Sequence, residues 1–313
     1  MAKYGVLLVA ALIAVGVSDR VSSTAAQSAG GADSRFETIA TLNVANTENI
    51  FEAEDGTFYV TGHQALNVLR ITPDRKVDTF VTVPGLAHVL GIAGTDNGFV
   101  LSASERTFRK PDASGRMQFD FSDTGPVVVV LDKKGTITGT LRGAKGAFFN
   151  GIAAGHANGQ PLILSADSNS GTVWRVDLAK KQIEPWLTDP VLAPTAEAPI
   201  GPNGIKIYND WVYVNSRGTM YRVRIGGDNR PQGTETLVAR AIGNDDFGLT
   251  KDGTLYILDA STMKRISPSG EVSIAYDKVP PGPAAWVSRD GKWLYWPTRG
   301  GDGPQRLLRA PIP

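Results

Sequence analysis

The chain has 313 residues, no cysteine, and 32 Lys and Arg against 31 Asp and Glu. A formal net charge of +1 gives no electrostatic reason to expect nucleic acid or an anionic membrane as partner, and without cysteine there is no disulfide framework and no thiolate-held zinc or iron–sulfur cluster. With 35 Gly, 19 Pro and frequent Val, Ile, Thr and Tyr, the length suits one large all-β domain of short strands and tight turns.

The N-terminus reads apart from that domain. Lys3 supplies a positive start, an apolar run follows from Val6 to Val17, and a small-residue stretch from Ser22 to Ala29 comes next. The apolar run covers about 12 residues against the ~20 needed to span a bilayer. The expectation is therefore a cleaved signal peptide over residues 1–28 and a secreted or periplasmic protein, with no membrane attachment after cleavage. No Asn-X-Ser/Thr sequon points to a eukaryotic secretory route.

From Arg35 onward one phrase recurs: a small or polar head, an apolar stretch, a turn dipeptide, then an apolar strand. It spans Glu48–Val60, Leu90–Leu101, Asp245–Ile257 and Pro283–Tyr295, with turns at Asp55-Gly56, Asn97-Gly98, Asp252-Gly253 and Asp290-Gly291. Looser copies start at Asn150 and Asn203. The turn dipeptides predict two-residue hairpins with both turn residues at φ > 0. In the first unit the predicted strands are Asn49–Ala53, Thr57–Thr61, Val68–Thr72 and Lys76–Val81; in the fifth, Phe247–Thr250, Thr254–Leu258, Met263–Ser267 and Glu271–Tyr276. The last unit offers only three strands, and Arg35–Leu42 supplies the fourth, covering an open edge. Six starts predict a six-bladed β-propeller over residues 35–313, in which each sheet buries its faces against its neighbours. Two long insertions, Glu105–Thr124 and Thr188–Pro202, interrupt the spacing.

In such a ring the first strand of each unit lines the channel, so the heads Glu48, Leu90, Asn150, Asn203, Asp245 and Pro283 converge. Taken singly, each polar head reads as a turn residue or a group solvated in a wet channel. Taken together, two carboxylates and two carboxamides form an oxygen-only set that would repel unless a cation lay between the acids. Ca²⁺ suits such donors first, Mg²⁺ or Mn²⁺ after it.

The pattern resembles the senescence-marker-protein, gluconolactonase and luciferin-regenerating-enzyme family of six-bladed propellers. That family places Glu in the first blade, Asn-Gly in the third, Asn-Gly-Ile or Asn-Gly-Leu in the fourth and an Asp step in the fifth; here these are Glu48, Asn150, Asn203 and Asp245. The resemblance implies a divalent metal and hydrolysis of a small lactone or related ester. The family's Arg two residues before the third-blade Asn is replaced by Phe148, which with Phe149 suits a less polar ring than a sugar. Asp246 falls one step later on the strand and should face the other way, so Asp245 carries the resemblance.

The expected chemistry has the ion polarise the carbonyl and acidify a bound water, with Asp245 as general base and Glu48 supplying charge. Among further candidates, His88 sits just before the second head, and Arg217, in Ser216-Arg217-Gly218, follows a second strand and reads either as a holder of a carboxylate or oxyanion or, by default, as a solvated rim side chain. His63 reads as a structural imidazole. The Gly-X-Ser-X-Gly elbow is absent. Competing readings are a non-catalytic binding propeller and a strictosidine-synthase-like propeller with another reaction. Nothing in the chain calls for an assembly beyond a monomer or weak dimer.

Overall fold

The computed structural model describes residues 35–238, 242–300 and 303–313; the expected signal peptide over residues 1–28 lies outside them. Arg35–Pro313 form one compact unit. It is a six-bladed β-propeller of six four-stranded antiparallel sheets. Blade 1 holds Thr47–Glu52, Phe58–Gly62, Asn67–Ile71 and Val77–Thr82, in that order from the channel outward. Blades 2 to 5 follow the same plan, with innermost strands His88–Thr95, Phe149–Ala157, Pro202–Tyr208 and Phe247–Leu249. Blade 6 runs Trp286–Val287, Trp293–Pro297, Gln305–Pro311, and its outer strand is Glu37–Leu42 from the beginning of the domain. The ring therefore closes by pairing its two chain ends, which removes an exposed edge.

The blades are held by apolar side chains between neighbouring sheets rather than by one central core. Among the described residues six buried clusters lie one at each blade boundary, and a seventh joins Phe108 and Phe121 of the first insertion to Leu90 and Phe148. Leu162, Val173 and Trp186 of blade 3 meet Ile205, Val212 and Val223 of blade 4, for instance. Tyr256 and Met263 of blade 5 likewise meet Leu294 and Trp296 of blade 6. Strands buried on both faces explain the near-continuous apolar runs in the sequence.

The turns differ from expectation in their chemistry. At Asp55-Gly56, Asp252-Gly253 and Asp290-Gly291 only the glycine is left-handed, at φ +80°, +86° and +73°. The Asp stays right-handed and its carboxylate accepts the backbone N–H two residues on, from Thr57 at 3.0 Å, Thr254 at 3.1 Å and Lys292 at 3.1 Å. Together with Gly56 N–H donating to Ala53 and Ala53 N–H to Thr57, this is a type I turn closed by a glycine bulge.

Strand direction sorts the loops between the two ends of the ring. These first-hairpin turns lie at one end. The heads, the connections between second and third strands, and both insertions lie at the other. The first insertion folds as a small hairpin, Arg109–Pro111 with Met117–Phe119, whose neck is fastened by Arg106 to Asp123 at 2.7 Å and by Thr124 Oγ1 to Ala147 O at 2.7 Å. The second turns through a short 3₁₀ segment, Pro190–Leu192, capped by Asp189.

Candidate functional site

The heads are positioned by a repeated irregularity. In blades 1 to 4 the innermost strand loses register between Thr47 and Ile50, Val89 and Ile92, Phe149 and Ile152, and Pro202 and Ile205. The residues released are Glu48-Asn49, Leu90-Gly91, Asn150-Gly151 and Asn203-Gly204. Bulges of this kind free a side chain from the ladder and re-aim it. In blades 2 to 4 the second residue of the pair is a glycine, there for close approach. A Cβ on Gly151 would lie 2.3 Å from Asn203 O, and one on Gly204 2.8 Å from Asp245 O. Hydroxyls at the ends of second strands fasten the same backbone, Thr61 within its strand to Leu90 O at 2.6 Å and Ser168 just past its strand to Pro202 O at 2.7 Å.

The structure brings Glu48 and Asp245 together, and the cation between them is Arg299. Its guanidinium donates from Nη1 to Glu48 Oε2 at 2.7 Å and from Nη2 to Asp245 Oδ2 at 2.6 Å. Arg299 follows the second strand of blade 6, the blade lying between those that supply the two acids. That blade's own head, Pro283, offers no polar side chain. Burial opposes the charge on Arg299, but Glu48 and then Asp245 outweigh it and hold the guanidinium above its ordinary range. Burial, and then the Glu48 charge, push the Asp245 carboxyl well up against the pull of Arg299. Asp245 Oδ1 also accepts the Asp246 N–H at 3.2 Å, so both its oxygens are engaged.

Asp246 belongs to a second layer, as its place one residue later predicts. Its Oδ2 accepts from Asn49 Nδ2 at 2.8 Å and pairs with Lys206. Asn150 and Asn203 occupy the bulges of blades 3 and 4. Their amide nitrogens are committed sideways, to Ser168 Oγ at 3.2 Å and to Asn244 O at 2.8 Å. Among the described residues neither amide bonds to Glu48, Asp245 or Arg299.

Two imidazoles complete the cluster. His63 Nδ1 lies 3.8 Å from Glu48 Oε2, and its ring sits 4.6 Å from that of His88. His63 Nε2 and His88 Nδ1 are buried and have no hydrogen-bond partner among the described residues. Burial holds His63 below the ordinary value of 6.5 despite Glu48, and burial together with His63 lowers His88 to about 4. Both are therefore neutral near pH 7. The first insertion covers them: Phe108 stands 4.8 Å from His88 and 4.6 Å from Phe148, and Phe121 packs 4.9 Å from Phe148.

Two expected substrate contacts are placed elsewhere. Phe149 is fully buried between blades 2 and 3, with Val100, Val128 and Ile163, because successive strand residues face opposite sides of the sheet. Arg217 donates to Val191 O in the second insertion and lies 3.4 Å from Tyr221 Oη. From the sequence Arg299 has no assigned role and His63 reads as a structural imidazole, yet the repeat contains both. Trp211-Val-Tyr-Val-Asn-Ser-Arg-Gly and Trp293-Leu-Tyr-Trp-Pro-Thr-Arg-Gly are the same second-strand phrase, and strand register puts His63 in the corresponding place of blade 1. A hollow of about 1550 Å³ opens at the opposite end of the ring, beside Asp55, Asp96 and His156, and contains none of these residues.

No family model and no curated protein matches the sequence. Solved structures do match the fold. A gluconolactonase from Xanthomonas campestris has 14% identity and a TM-score of 0.61 over 89% of each chain. The luciferin-regenerating enzyme has 13% identity and a TM-score of 0.61, covering 88% of this chain and 94% of its own. The calcium-binding protein regucalcin from Agrobacterium tumefaciens has 14% identity and a TM-score of 0.62 over 88% of this chain and 92% of its own. In fold, then, the chain is similar to the propellers of the gluconolactonase, regucalcin and luciferin-regenerating-enzyme group.

Proposed function

We propose that this chain is a hydrolase that opens a cyclic ester, a lactone, at the head end of its channel. One observation carries the reading: a buried carboxylate–imidazole pair, Glu48 and His63, leaves His63 Nε2 unpartnered close to a guanidinium and under an aromatic cap. Similarity in fold to a gluconolactonase supports the choice of ester chemistry.

The carboxylates and carboxamides have the donor chemistry of a Ca²⁺, Mg²⁺ or Mn²⁺ site. Their arrangement does not fit one. Arg299 already bonds both acids, and a divalent ion in the same place would have to displace it.

The protein's own groups suffice for an outline. Glu48, 3.8 Å from His63 Nδ1, favours the tautomer protonated there, so that neutral Nε2 accepts a proton as water attacks the ester carbon. Arg299 has five N–H donors, two of them committed to the acids, and its positive charge stabilises the developing oxyanion. Collapse of the tetrahedral intermediate breaks the ring C–O bond, and the leaving alkoxide takes the proton back from His63, giving a hydroxy acid. Asp245, with both oxygens engaged, holds Arg299 rather than activating water. Phe148, Phe108 and Phe121 favour an alkyl or aryl lactone over a sugar lactone.

The test is a panel of aliphatic, aryl and sugar lactones followed by acid release, with wild type, Glu48→Gln and His63→Gln side by side. Turnover of aryl or alkyl lactones that both variants abolish is expected. Failure of every lactone to turn over would remove the reading.

A further inference from the structure

We infer that Arg299 takes the place a divalent cation would fill, so that this chain holds its two channel acids without metal and gains a calcium site when that one side chain is neutralised. The inference concerns the same cluster as the ester reading but does not depend on turnover.

The argument is one of charge and place. Two carboxylates from non-adjacent blades, with side chains only 9% and 19% exposed, need a counter-charge where they meet. The blade between them supplies it through a fork that spans both acids at 2.7 and 2.6 Å. A planar guanidinium does this with fixed geometry that an ammonium lacks. Its base is anchored rather than mobile: Arg299 N–H donates to Pro281 O at 2.9 Å, and Thr298 O accepts from Thr47 Oγ1 of blade 1 at 2.7 Å. The bulges of blades 3 and 4 meanwhile keep two carboxamides whose nitrogens are tied away from the acids. Removing the guanidinium alone therefore leaves two buried carboxylates without their cation, in a ring whose blades 3 and 4 carry carboxamides at the matching heads, the oxygen-donor composition of a calcium site.

The test is calcium titration by calorimetry on chelator-treated, full-length protein, comparing wild type, Arg299→Gln, Arg299→Lys and the double variant Arg299→Gln/Asp245→Asn. Wild type and Arg299→Lys should bind no tighter than about 1 mM, whereas Arg299→Gln should take up one ion per chain at about 10 μM, a gain of about 100-fold. The double variant should lose that gain. Calcium should also raise the melting temperature of Arg299→Gln and leave wild type unmoved. Micromolar binding of one calcium by wild type would overturn the inference. So would an Arg299→Gln protein with wild-type circular dichroism and no gained affinity. A lactone panel without turnover, beside the expected titrations, would remove the ester reading and leave this one standing.

Discussion

Arg217 and Arg299 end the same phrase in blades 4 and 6, and the fold gives them different work. Both follow a second strand that begins on Trp, and both precede a glycine. Arg217 takes a left-handed backbone, φ 55°, and reaches outward to Val191 O in the 188–202 insertion. Arg299 reaches inward and spans Glu48 and Asp245. The neighbours decide. Blade 4 is bordered by an insertion that offers free carbonyls, while blade 6 stands between two acid heads. In a ring of repeats, equal position fixes where a side chain starts, and the charges on adjoining blades fix where it ends.

His63, at the corresponding place of blade 1, gives the sharpest way to break that comparison. With a lactone that turns over, His63→Gln should lower kcat/KM by about 10²–10⁴-fold, the usual worth of a positioned general base. Arg217→Gln should stay within about twofold, as a substitution away from the reacting groups does. Equal losses in the two variants would show that the position itself, and not its neighbours, sets the role.

Stability should separate the two arginines next. Arg299→Leu strands two carboxylates, and breaking such a buried pair costs about 3–5 kcal/mol. The Arg299 side chain is 36% exposed, which brings the expected loss to about 2–3 kcal/mol in urea unfolding at pH 7. Arg217→Leu gives up a hydrogen bond to Val191 O and a long one to Tyr221 Oη but also removes a buried Nε without a partner, so about 1 kcal/mol or less is expected. Near-equal losses would mean that Glu48 and Asp245 do not lean on Arg299.

Much of this was legible in the sequence. The six phrase starts, the fourth strand drawn from Arg35–Leu42, and the heads Glu48, Asn150, Asn203 and Asp245 follow from periodicity; in blades 1, 3 and 4 a bulge recurs with the repeat, and in blade 5 the head directly precedes the innermost strand. The separation of Asp246 from Asp245 follows from strand alternation. The cation did not follow. Attention to the heads identifies groups that begin innermost strands, whereas Arg299 and His63 leave second strands and reach the acids across a blade boundary. Phe149 was misplaced for a related reason: the bulge begins at Asn150, so Phe149 is still in register with Asp167 and faces the core. Nor does composition say that Phe108 and Phe121, in an insertion between the second and third strands of blade 2, fold back onto Phe148 and His88.

The histidine position differs from the arginine positions in one further respect, since only it titrates in the working range. His63 and His88 both have folded values below 6.5, His88 at about 4. The unfolded chain therefore takes up protons first on acidification. Their contribution is fully present above about pH 6.5 and is lost as pH falls from there towards about 4. The raised Asp245 carboxyl works in the opposite sense, so wild type shows only the difference. His88→Asn should flatten the fall in melting temperature across that window relative to wild type. An unchanged profile would show that the imidazole is not desolvated.

The smallest effects should come from the two hydroxyls that seat the arginines. Ser216 Oγ donates to Leu192 O at 2.7 Å beside Arg217, and Thr47 Oγ1 donates to Thr298 O at 2.7 Å beside Arg299. Ser216→Ala and Thr47→Val each remove one buried hydrogen bond, worth about 1 kcal/mol in urea unfolding. Their consequences should nevertheless diverge. Ser216→Ala loosens an insertion that carries no charge in the site, so lactone turnover should hold. Thr47→Val lets the blade 6 strand end drift at the seam where the ring closes, and the guanidinium moves with it. A loss in kcat larger than its loss in stability implies would mark Thr47 as a positioning residue for Arg299. Parallel behaviour of the two variants would instead reduce Thr47 to a structural bond.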